Sequence, residues 1–444
     1  MAMLFPSTGA PVVQVVPAAV GRLLARLLQH RRNGRPGAAA VAACLCAAAV
    51  VLAGWYGSPA SALVATGRST PVTGSPQAGA GVWRAENSDT QHRLYDVACL
   101  SALRCEAVGA AGTILATANG GKTWRAQANP LRGSATPLSQ IACVAPSSCY
   151  VIARPNIILM THNGGASWSR HVLPVGVSGT SLTDQACLAA YPPGLTGRYL
   201  LCRLGLLNIA CISARVCYAV STAPQAYEPT AVPKRPHAAP SSIWLTSDGG
   251  AKWTRQSIPP GVACNGDCDP AILYPYPLEW VTCLSSGLCR AGGGYLMGCG
   301  HCGFAQVVLV THGPGRPWTC TTSATACTTA PDAADCPASS RCYGIDSANP
   351  FSAPAVSVLR SADSGASWQQ VGPDWTRSVF NDIACPTTLT CYIAGTRGTI
   401  ARVTKGTTLT AQRTPTARDL YGVSCVGPIT CYAVGDEGAI LALG

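Results

Sequence analysis

The chain has 444 residues, enough for several ordinary domains or for one large repetitive domain. Only 11% of the residues are charged while glycine (46) and proline (34) are abundant, which excludes bundles of long amphipathic helices. No acid precedes Glu86, so much of the net charge of +12 lies at the N-terminus, and the remainder is too weakly basic to indicate a nucleic-acid partner. The 24 cysteines point to an oxidising compartment.

An apolar segment near the N-terminus indicates export. Residues 38–56 contain no charge, and arginines lie just before them in a basic tail, residues 1–37. A helix of this length spans a bilayer core, and the positive-inside rule places the tail in the cytoplasm and the rest of the chain outside. We expect 38–56 to remain as a transmembrane signal anchor. Cleavage at residues 60–62 is the alternative and would give a secreted protein. Residues 57–81, rich in Ser, Thr, Pro, Gly and Ala, read as a flexible linker.

From residue 82 onward one unit repeats seven times, and each copy contains two cysteines with five residues between them. Short apolar runs flank each pair and are broken by Pro, Ser or Gly turns, a pattern that predicts strand, turn and strand. We expect each pair to form a disulfide across the turn that joins the first two strands of its unit. The pairs are Cys99/Cys105, Cys143/Cys149, Cys211/Cys217, Cys283/Cys289, Cys336/Cys342, Cys385/Cys391 and Cys425/Cys431.

A second motif closes most units, as in TANGGKTW at 117–124. It resembles the Asp-box of bacterial neuraminidase repeats, in which an Asp or Asn side chain caps a tight turn and the Trp is buried between sheets. Gly313 cannot cap in this way, and in the sixth unit Leu409 replaces the Trp. The capping side chains of the other four boxes are Asn119, Asn163, Asp248 and Asp363.

Seven such units predict an all-β fold, a seven-bladed β-propeller of four-stranded antiparallel blades over residues 82–444. The seventh unit stops at Gly444 without its Trp strand, while an orphan motif at 81–85 matches the strand that follows the first Asp-box. We therefore expect the N-terminal strand to close the last blade, which pairs both free edges of the ring.

Eight cysteines lie outside the pairs and the apolar segment. The spacings of Cys264/Cys268 and Cys299/Cys302 have the look of zinc sites, with His301 as a further ligand. Export and the even number favour additional disulfides instead, so we expect no metal and no cofactor. The eight are Cys187, Cys202, Cys264, Cys268, Cys299, Cys302, Cys320 and Cys327.

Four carboxylates lie near the starts of first strands, which face the central channel of a propeller: Asp96, Glu279, Asp382 and Asp419. A glycoside hydrolase needs two opposed carboxylates, and these residues are candidates for such a pair. The plainer interpretation is that they are polar channel residues or turn caps, and we therefore expect no enzymatic activity.

Three arginines precede first strands and are expected near one end of the channel: Arg93, Arg377 and Arg418. Together they could form a basic patch that binds an acidic peptide or glycan. Scattered, solvated arginines are the alternative.

The order of first strand, Cys-Tyr-x-Val-Gly, Gly-x-Ile and Asp-box resembles the photosystem II stability/assembly factor type of propeller over roughly residues 82–444. That resemblance implies an exported propeller that binds a partner polypeptide through an arginine-rich face, without catalysis. The cysteine pairs and long insertions near 174–204 and 221–241 depart from the pattern. The sequence thus predicts a bacterial, membrane-anchored binding or scaffold module of the cell envelope whose ligand is a protein or glycan. A sialidase-like glycoside hydrolase on the same fold is the alternative.

Overall fold

The structure is a computed structural model in which seven four-stranded sheets surround a central axis, and paired strands run antiparallel. The prediction of a seven-bladed propeller is confirmed. The residues that the structure describes are 81–175, 205–222, 241–258, 278–296, 304–320, 331–346, 356–373, 375 and 378–444.

The predicted cytoplasmic tail, the signal anchor at 38–56 and all but the last residue of the predicted linker lie outside the described residues. Within the described ranges, no helix has the length and apolar character needed to cross a bilayer.

Blades 1 to 4 each follow the order of the chain, from an inner first strand to an outer fourth strand. Blade 1 contains β2 (Leu94–Ser101), β3 (Arg104–Gly109), β4 (Ile114–Thr117) and β5 (Arg125–Ala126). Blade 2 contains β6 (Leu138–Ala145), β7 (Ser148–Ala153), β8 (Ile157–Thr161) and β9 (Ser169–Val172). Blade 3 contains β10 (Gly205–Cys211), β11 (Cys217–Thr222), β12 (Ser242–Thr246) and β13 (Thr254–Arg255). Blade 4 contains β14 (Trp280–Cys283), β15 (Cys289–Leu296), β16 (Phe304–Thr311) and β17 (Thr319–Cys320).

Blades 5 and 6 repeat this order, whereas blade 7 takes its outer strand from the start of the domain. Blade 5 contains β18 (Ala333–Asp335), β19 (Cys342–Asp346), β20 (Ser357–Ser361) and β21 (Gln369–Gln370). Blade 6 contains β22 (Phe380–Thr387), β23 (Thr390–Gly395), β24 (Ile400–Thr404) and β25 (Thr408–Gln412). Blade 7 contains β26 (Leu420–Gly427), β27 (Thr430–Gly435), β28 (Ile440–Leu443) and β1 (Trp83–Glu86).

The strand β1 closes the ring by pairing with β28. Trp83 lies opposite Leu443, and the backbone N–H of Val82 donates to the carbonyl of Gly444 at 3.2 Å. The Trp83 side chain is buried and meets the Tyr392 ring edge-on, with ring centroids 5.9 Å apart. The two ends of the domain therefore hold one another through hydrogen bonds and aromatic packing.

The propeller has two distinct faces. Because a meander reverses direction at every turn, the first-to-second and third-to-fourth strand turns of each blade share one face. We call it the cystine face. In blade 1 these two turns are in direct contact, since Gly120 N donates to the carbonyl of Leu103 at 3.1 Å. The other face carries the second-to-third strand turns and the connections between blades, and we call it the junction face.

All seven repeated cysteine pairs are disulfide-bonded within their blades, with S–S distances of 2.02 to 2.11 Å. In five blades the two cysteines are direct partners across the hairpin. These five bonds are Cys99–Cys105, Cys143–Cys149, Cys211–Cys217, Cys283–Cys289 and Cys425–Cys431.

The disulfides of blades 5 and 6 differ from the other five in their backbone setting. In blade 5 the bond joins Cys342 to Cys336, which lies one residue beyond the end of β18. In blade 6 Cys391 is bonded to Cys385 at 2.08 Å, but the two are not partners in the strand register, because the register shifts between Ala384 and Thr387. The Cα atoms of Cys385 and Cys391 are nevertheless 4.0 Å apart, so the bond spans the first hairpin there as well.

The remaining cysteines are described only in part. Of the eight outside the repeated pairs, Cys320 is disulfide-bonded. The other seven lie outside the described residues, together with the zinc spacings and His301.

The Asp-box turns follow the capping pattern that the motif predicts. The Asn119 side-chain oxygen accepts from the N–H of Thr123 at 3.0 Å, and Asp248 accepts from the N–H of Lys252 at 3.0 Å. The hydrogen bond from Lys252 is the main reason that the pKa of Asp248 is lowered. The closing tryptophans are all buried: Trp83, Trp124, Trp168, Trp253, Trp318 and Trp368.

The hydrophobic core lies between neighbouring blades. One cluster joins Tyr150 and Ile152 of blade 2 to Leu206 and Trp253 of blade 3, and similar clusters occupy other interfaces. A single blade therefore cannot bury its apolar faces alone, and each depends on its two neighbours.

Candidate functional site

The first strands pack against one another around the axis and carry two of the predicted carboxylates. Asp96 accepts two backbone N–H groups at 2.8 Å, from Val97 in its own strand and from Ile141 in blade 2. Asp382 of blade 6 repeats this arrangement, with Ile383 and with Val423 of blade 7, again at 2.8 Å. Both carboxylates therefore join one blade to the next.

Other side chains perform the same task at the remaining interfaces. Asn208 accepts from the N–H of Val281 in blade 4 at 3.2 Å and donates to Gln140 of blade 2 at 3.2 Å. The remaining three contacts are Trp280 Nε1 to the Pro331 carbonyl (3.0 Å), Cys385 N to Asp335 (2.7 Å) and Cys99 N to Ser424 Oγ (3.1 Å). All seven interfaces are thus bridged by what we call the axial ring: Asp96, Gln140, Asn208, Trp280, Asp335, Asp382 and Ser424.

Burial raises the pKa of every carboxyl group in the axial ring. Desolvation raises the pKa of Asp382 to about 7 and that of Asp335 to about 6, in each case against the effect of two backbone hydrogen bonds. The pKa of Asp96 lies well above its usual value because the group is buried and because the charge of Asp382 acts on it. These groups are arranged to hold blades together, and their oxygens are already bonded to backbone amides.

The other two predicted carboxylates directly precede the first strands of blades 4 and 7. Glu279 is buried, and its backbone N–H donates to the Gly292 carbonyl at 2.8 Å. Asp419 lies at the junction face, where a side-chain oxygen accepts from the N–H of Arg397 at 2.8 Å and caps that turn.

A cleft of about 450 Å³ lies between blades 1 and 2. Its walls include Arg104, Glu106, Arg125 and Gln127. Burial raises the pKa of Glu106 to about 7, against a hydrogen bond with Gln127. Among the described residues that line the cleft, Glu106 is the one carboxylic acid.

Glu106 also belongs to the one cluster within the described residues whose spacing would suit a metal ion, together with Cys143 and Cys149. Those two cysteines are bonded to each other, so they are not available as thiolate ligands.

The third concentration of functional side chains lies on the junction face, where blade 7 meets blade 1. Arg93 Nε lies 2.5 Å from Asp436 Oδ1, and Tyr421 Oη donates to the other oxygen of Asp436 at 3.2 Å. The Arg93 guanidinium lies 5.1 Å from the centre of the Tyr421 ring, which in turn packs against Tyr95 with centroids 6.0 Å apart. Burial raises the pKa of Tyr421 to about 12, so its hydroxyl remains a donor.

Arg418 extends this group, since its guanidinium lies 2.6 Å from the carboxylate of Glu437. The side chains of Arg93 and Arg418 remain 47% and 46% exposed, so both ion pairs are open to solvent. We call the set Arg93, Tyr95, Arg418, Tyr421, Asp436 and Glu437 the junction cluster.

The structure places two of the three predicted arginines on one face, while Arg377 lies outside the described residues. It also adds the acids that sequence reasoning missed. They occupy the turn Asp436–Gly438, whose Gly-x-x-Gly signature has Asp-Glu where the corresponding turn of blade 1 has Ala-Ala. Tyr95 and Tyr421 are each the second residue of a first strand. This shared position in the repeat is the sequence feature that could have identified them as neighbours.

Comparison with known proteins agrees with this architecture. The profile of the family described as photosynthesis system II assembly factor YCF48 matches residues 75–186. The protein is a neuraminidase-repeat propeller similar to that assembly factor. A search of curated proteins finds no match.

Solved structures of several propellers resemble the chain. The structure titled YCF48 bound to D1 peptide is 16% identical, with a TM-score of 0.53, and the match covers 85% of this chain and 99% of that one. YCF48 from Cyanidioschyzon merolae is 15% identical, with a TM-score of 0.51 and coverages of 82% and 98%. The GH74 xyloglucanase from Xanthomonas campestris is 13% identical, with a TM-score of 0.51 and coverages of 81% and 53%. At these identities the likeness establishes the propeller fold.

Proposed function

We propose that the protein is a non-catalytic binding module of the cell envelope that recognises a polypeptide through the junction cluster. The observation that carries this proposal is the exposed ion pair between Arg93 and Asp436. The guanidinium of Arg93 also lies against the ring of Tyr421. Paired cations and tyrosines of this kind suit the recognition of acidic and aromatic groups on a partner. The related assembly factor whose structure contains a D1 peptide supports a polypeptide as the ligand class.

The acids of the cluster set its specificity in this proposal. In the free protein Asp436 and Glu437 hold the arginines in place. Both oxygens of Asp436 already accept hydrogen bonds, from Arg93 and Tyr421. Each guanidinium has five N–H donors, so the arginines can bind a carboxylate of the partner beside these ion pairs. The site is therefore preformed and selects acidic segments.

Membrane anchoring through residues 38–56, with the propeller outside the cell, is part of the same proposal. It is supported by the charge-free run behind three arginines and by seven disulfides, which persist in oxidising compartments.

The test is binding of the full chain, solubilised in a mild detergent, to an array of acidic peptides and charge-neutral counterparts. We expect acidic peptides to bind and Arg93→Met/Arg418→Met to weaken binding by roughly 10- to 100-fold, since charge-assisted hydrogen bonds are lost. Arg215→Met/Arg316→Met makes the same charge change on the cystine face and serves as the control. Equal loss in both variants, or binding to glycans alone, would overturn the proposal.

A further inference from the structure

One position on the cystine face, two residues before the second cysteine of each pair, carries an exposed aliphatic side chain in only some of the blades. In blades 6, 7 and 1 this position holds Leu389, Ile429 and Leu103, which are 53%, 51% and 58% exposed. In the other four blades the same position holds Ser147, Arg215, Gly287 or Ser340. The three exposed aliphatic side chains therefore belong to three consecutive blades.

Tyrosine hydrogen bonds hold these three turns side by side. Tyr392 of blade 6 donates to the Pro428 carbonyl at 2.7 Å, and Tyr432 of blade 7 donates to the Ala102 carbonyl at 3.2 Å. Each accepting carbonyl belongs to the residue just before Ile429 or Leu103. The aliphatic side chains thus project from a fixed row, which we call the aliphatic row.

The exposed charges of the turns around the row have a single sign. Arg104 and Lys122 flank Leu103, and Lys405 lies in the turn that contacts Leu389; all three are exposed. The turns that form this sector, residues 100–104, 118–123, 386–389, 405–407 and 426–430, contain no acid.

Acids near the cystine face lie elsewhere or are partly buried. The Asp-box turns of blades 3 and 5 present Asp248 and Asp363 on this face, outside the sector of the row. Glu86, at the end of β1, lies beside Gly121 and is partly buried, and desolvation raises its pKa. The sector of the aliphatic row therefore presents basic groups to its surroundings.

The chain also enters the propeller at this sector. Trp83 begins β1 opposite Leu443, which is itself opposite Cys431, so the start of β1 is level with the disulfide of blade 7. Val82, directly before it, is 61% exposed. The 25 linker residues from 57 to 81 reach at most about 90 Å when extended, so a bilayer holding residues 38–56 lies within reach of blade 7.

We infer that the aliphatic row, with its flanking Arg104, Lys122 and Lys405, rests on the surface of an anionic lipid bilayer. Aliphatic side chains would enter the interfacial layer while the basic groups contact lipid phosphates. The junction cluster then points away from the membrane, toward its polypeptide partner. This inference rests on the anchoring in the proposed function, and the surface that the aliphatic row contacts is lipid, not a second copy of the chain.

Photochemical labelling by lipid tests the inference directly. The full chain is placed in vesicles of equimolar phosphatidylglycerol and phosphatidylethanolamine with a trace of a phospholipid that carries a diazirine near its acyl carbonyl. We expect lipid adducts on the peptides that contain Leu103, Leu389 and Ile429. Leu103→Ser/Leu389→Ser/Ile429→Ser, which installs the residue of blades 2 and 5, should lower the adduct yield on these turns roughly tenfold. Val172→Ser/Val379→Ser removes exposed aliphatic groups from the junction face and should change nothing.

Each contrary result has a defined meaning. If the chain stays on the vesicles after an alkaline wash but carries no adducts on the three turns, the contact with lipid is refuted and the anchor is supported. Adducts on the three turns of a chain that washes off refute the anchor and support the surface. Equal adduct yields on all seven blades would also overturn the inference. So would self-association of the wild-type chain that prevents labelling of the row, if the triple variant does not self-associate.

Discussion

The cystine face and the axis stabilise the same seven blades in different ways. At the cystine face a disulfide lies within every blade, and the Asp-box turns share one capping geometry. At the axis the seven interfaces are bridged by Asp, Asn, Gln, Trp and Ser side chains. Local turns demand one backbone geometry and so favour one motif, whereas a contact between blades requires only a polar atom within reach. Four predictions test this difference between stabilisation within blades and contacts between blades.

The largest expected effect concerns the strand that closes the ring. Trp83→Ala removes a buried indole, and truncations of this kind cost about 3–5 kcal/mol of unfolding free energy. Chemical denaturation of the full chain measures the loss. Val82→Ala, at an exposed neighbouring position, should stay within about 0.5 kcal/mol. A loss below about 1 kcal/mol for Trp83→Ala would show that closure depends on hydrogen bonds alone.

The second prediction concerns the carboxyls of the axial ring. Unfolded aspartates have a pKa near 3.9, while those of Asp335 and Asp382 are about 6 and about 7 in the folded protein. Between these values the folded state binds more protons, so the free energy of unfolding falls as pH rises from about 4 to about 7. Each unit by which folding raises a pKa corresponds to about 1.4 kcal/mol of unfolding free energy.

Denaturation midpoints at pH 5 and pH 8 measure this effect, and the protein should be more stable at pH 5. Asp382→Asn should flatten the profile because it removes one titrating group. Asp248→Asn is the matched control, since the lowered pKa of Asp248 places its titration below this window. A profile that rises from pH 5 to pH 8 would contradict the assignment.

A moderate effect is expected from one disulfide. Cys425→Ala/Cys431→Ala removes a bridge that spans a sequence separation of six residues, and a short loop of this kind contributes about 2 kcal/mol. Thermal and chemical unfolding should both shift accordingly, with the fold retained. Complete unfolding after this single change would mean that the bridges do more than restrict the unfolded chain.

The last prediction compares the replacement of Asn by Ala at the axis with the same replacement at the cystine face, where the smallest effect is expected. Asn208→Ala removes contacts to blades 2 and 4 and should cost about 1–3 kcal/mol, since it leaves polar groups unpaired. Asn163→Ala removes a cap on the exposed Asp-box turn of blade 2 and should cost about 0.5–1.5 kcal/mol. If Asn163→Ala proves the more costly, the rim turns and not the axial contacts dominate stability.

Much of the fold could be predicted because the repeat is local. The cysteine spacing, the tight turns and the buried tryptophans are each specified within about ten residues, so seven copies identify blade, strand and turn. Equal spacing did not reveal that Cys385 and Cys391 sit at a register shift, since that depends on how β22 and β23 pair.

The site was accessible only in part. The positions of Arg93 and Arg418 before first strands predict that they share one face, but their partners Asp436 and Glu437 come from another turn. The sequence makes Asp96 and Asp382 candidate catalytic groups, whereas the structure shows them bonded to backbone amides of the next blade.

The number of blades and the chemistry of each turn follow from the amino-acid sequence, because those features depend on neighbours along the chain. The folded ring is needed to know which side chain bridges each interface, which carboxyls become difficult to ionise and which arginines are paired. Those outcomes depend on residues far apart in the chain that the closed ring brings within hydrogen-bond distance, as with Ser424 and Cys99, 325 positions apart. Distances of that kind have no local signature in the sequence.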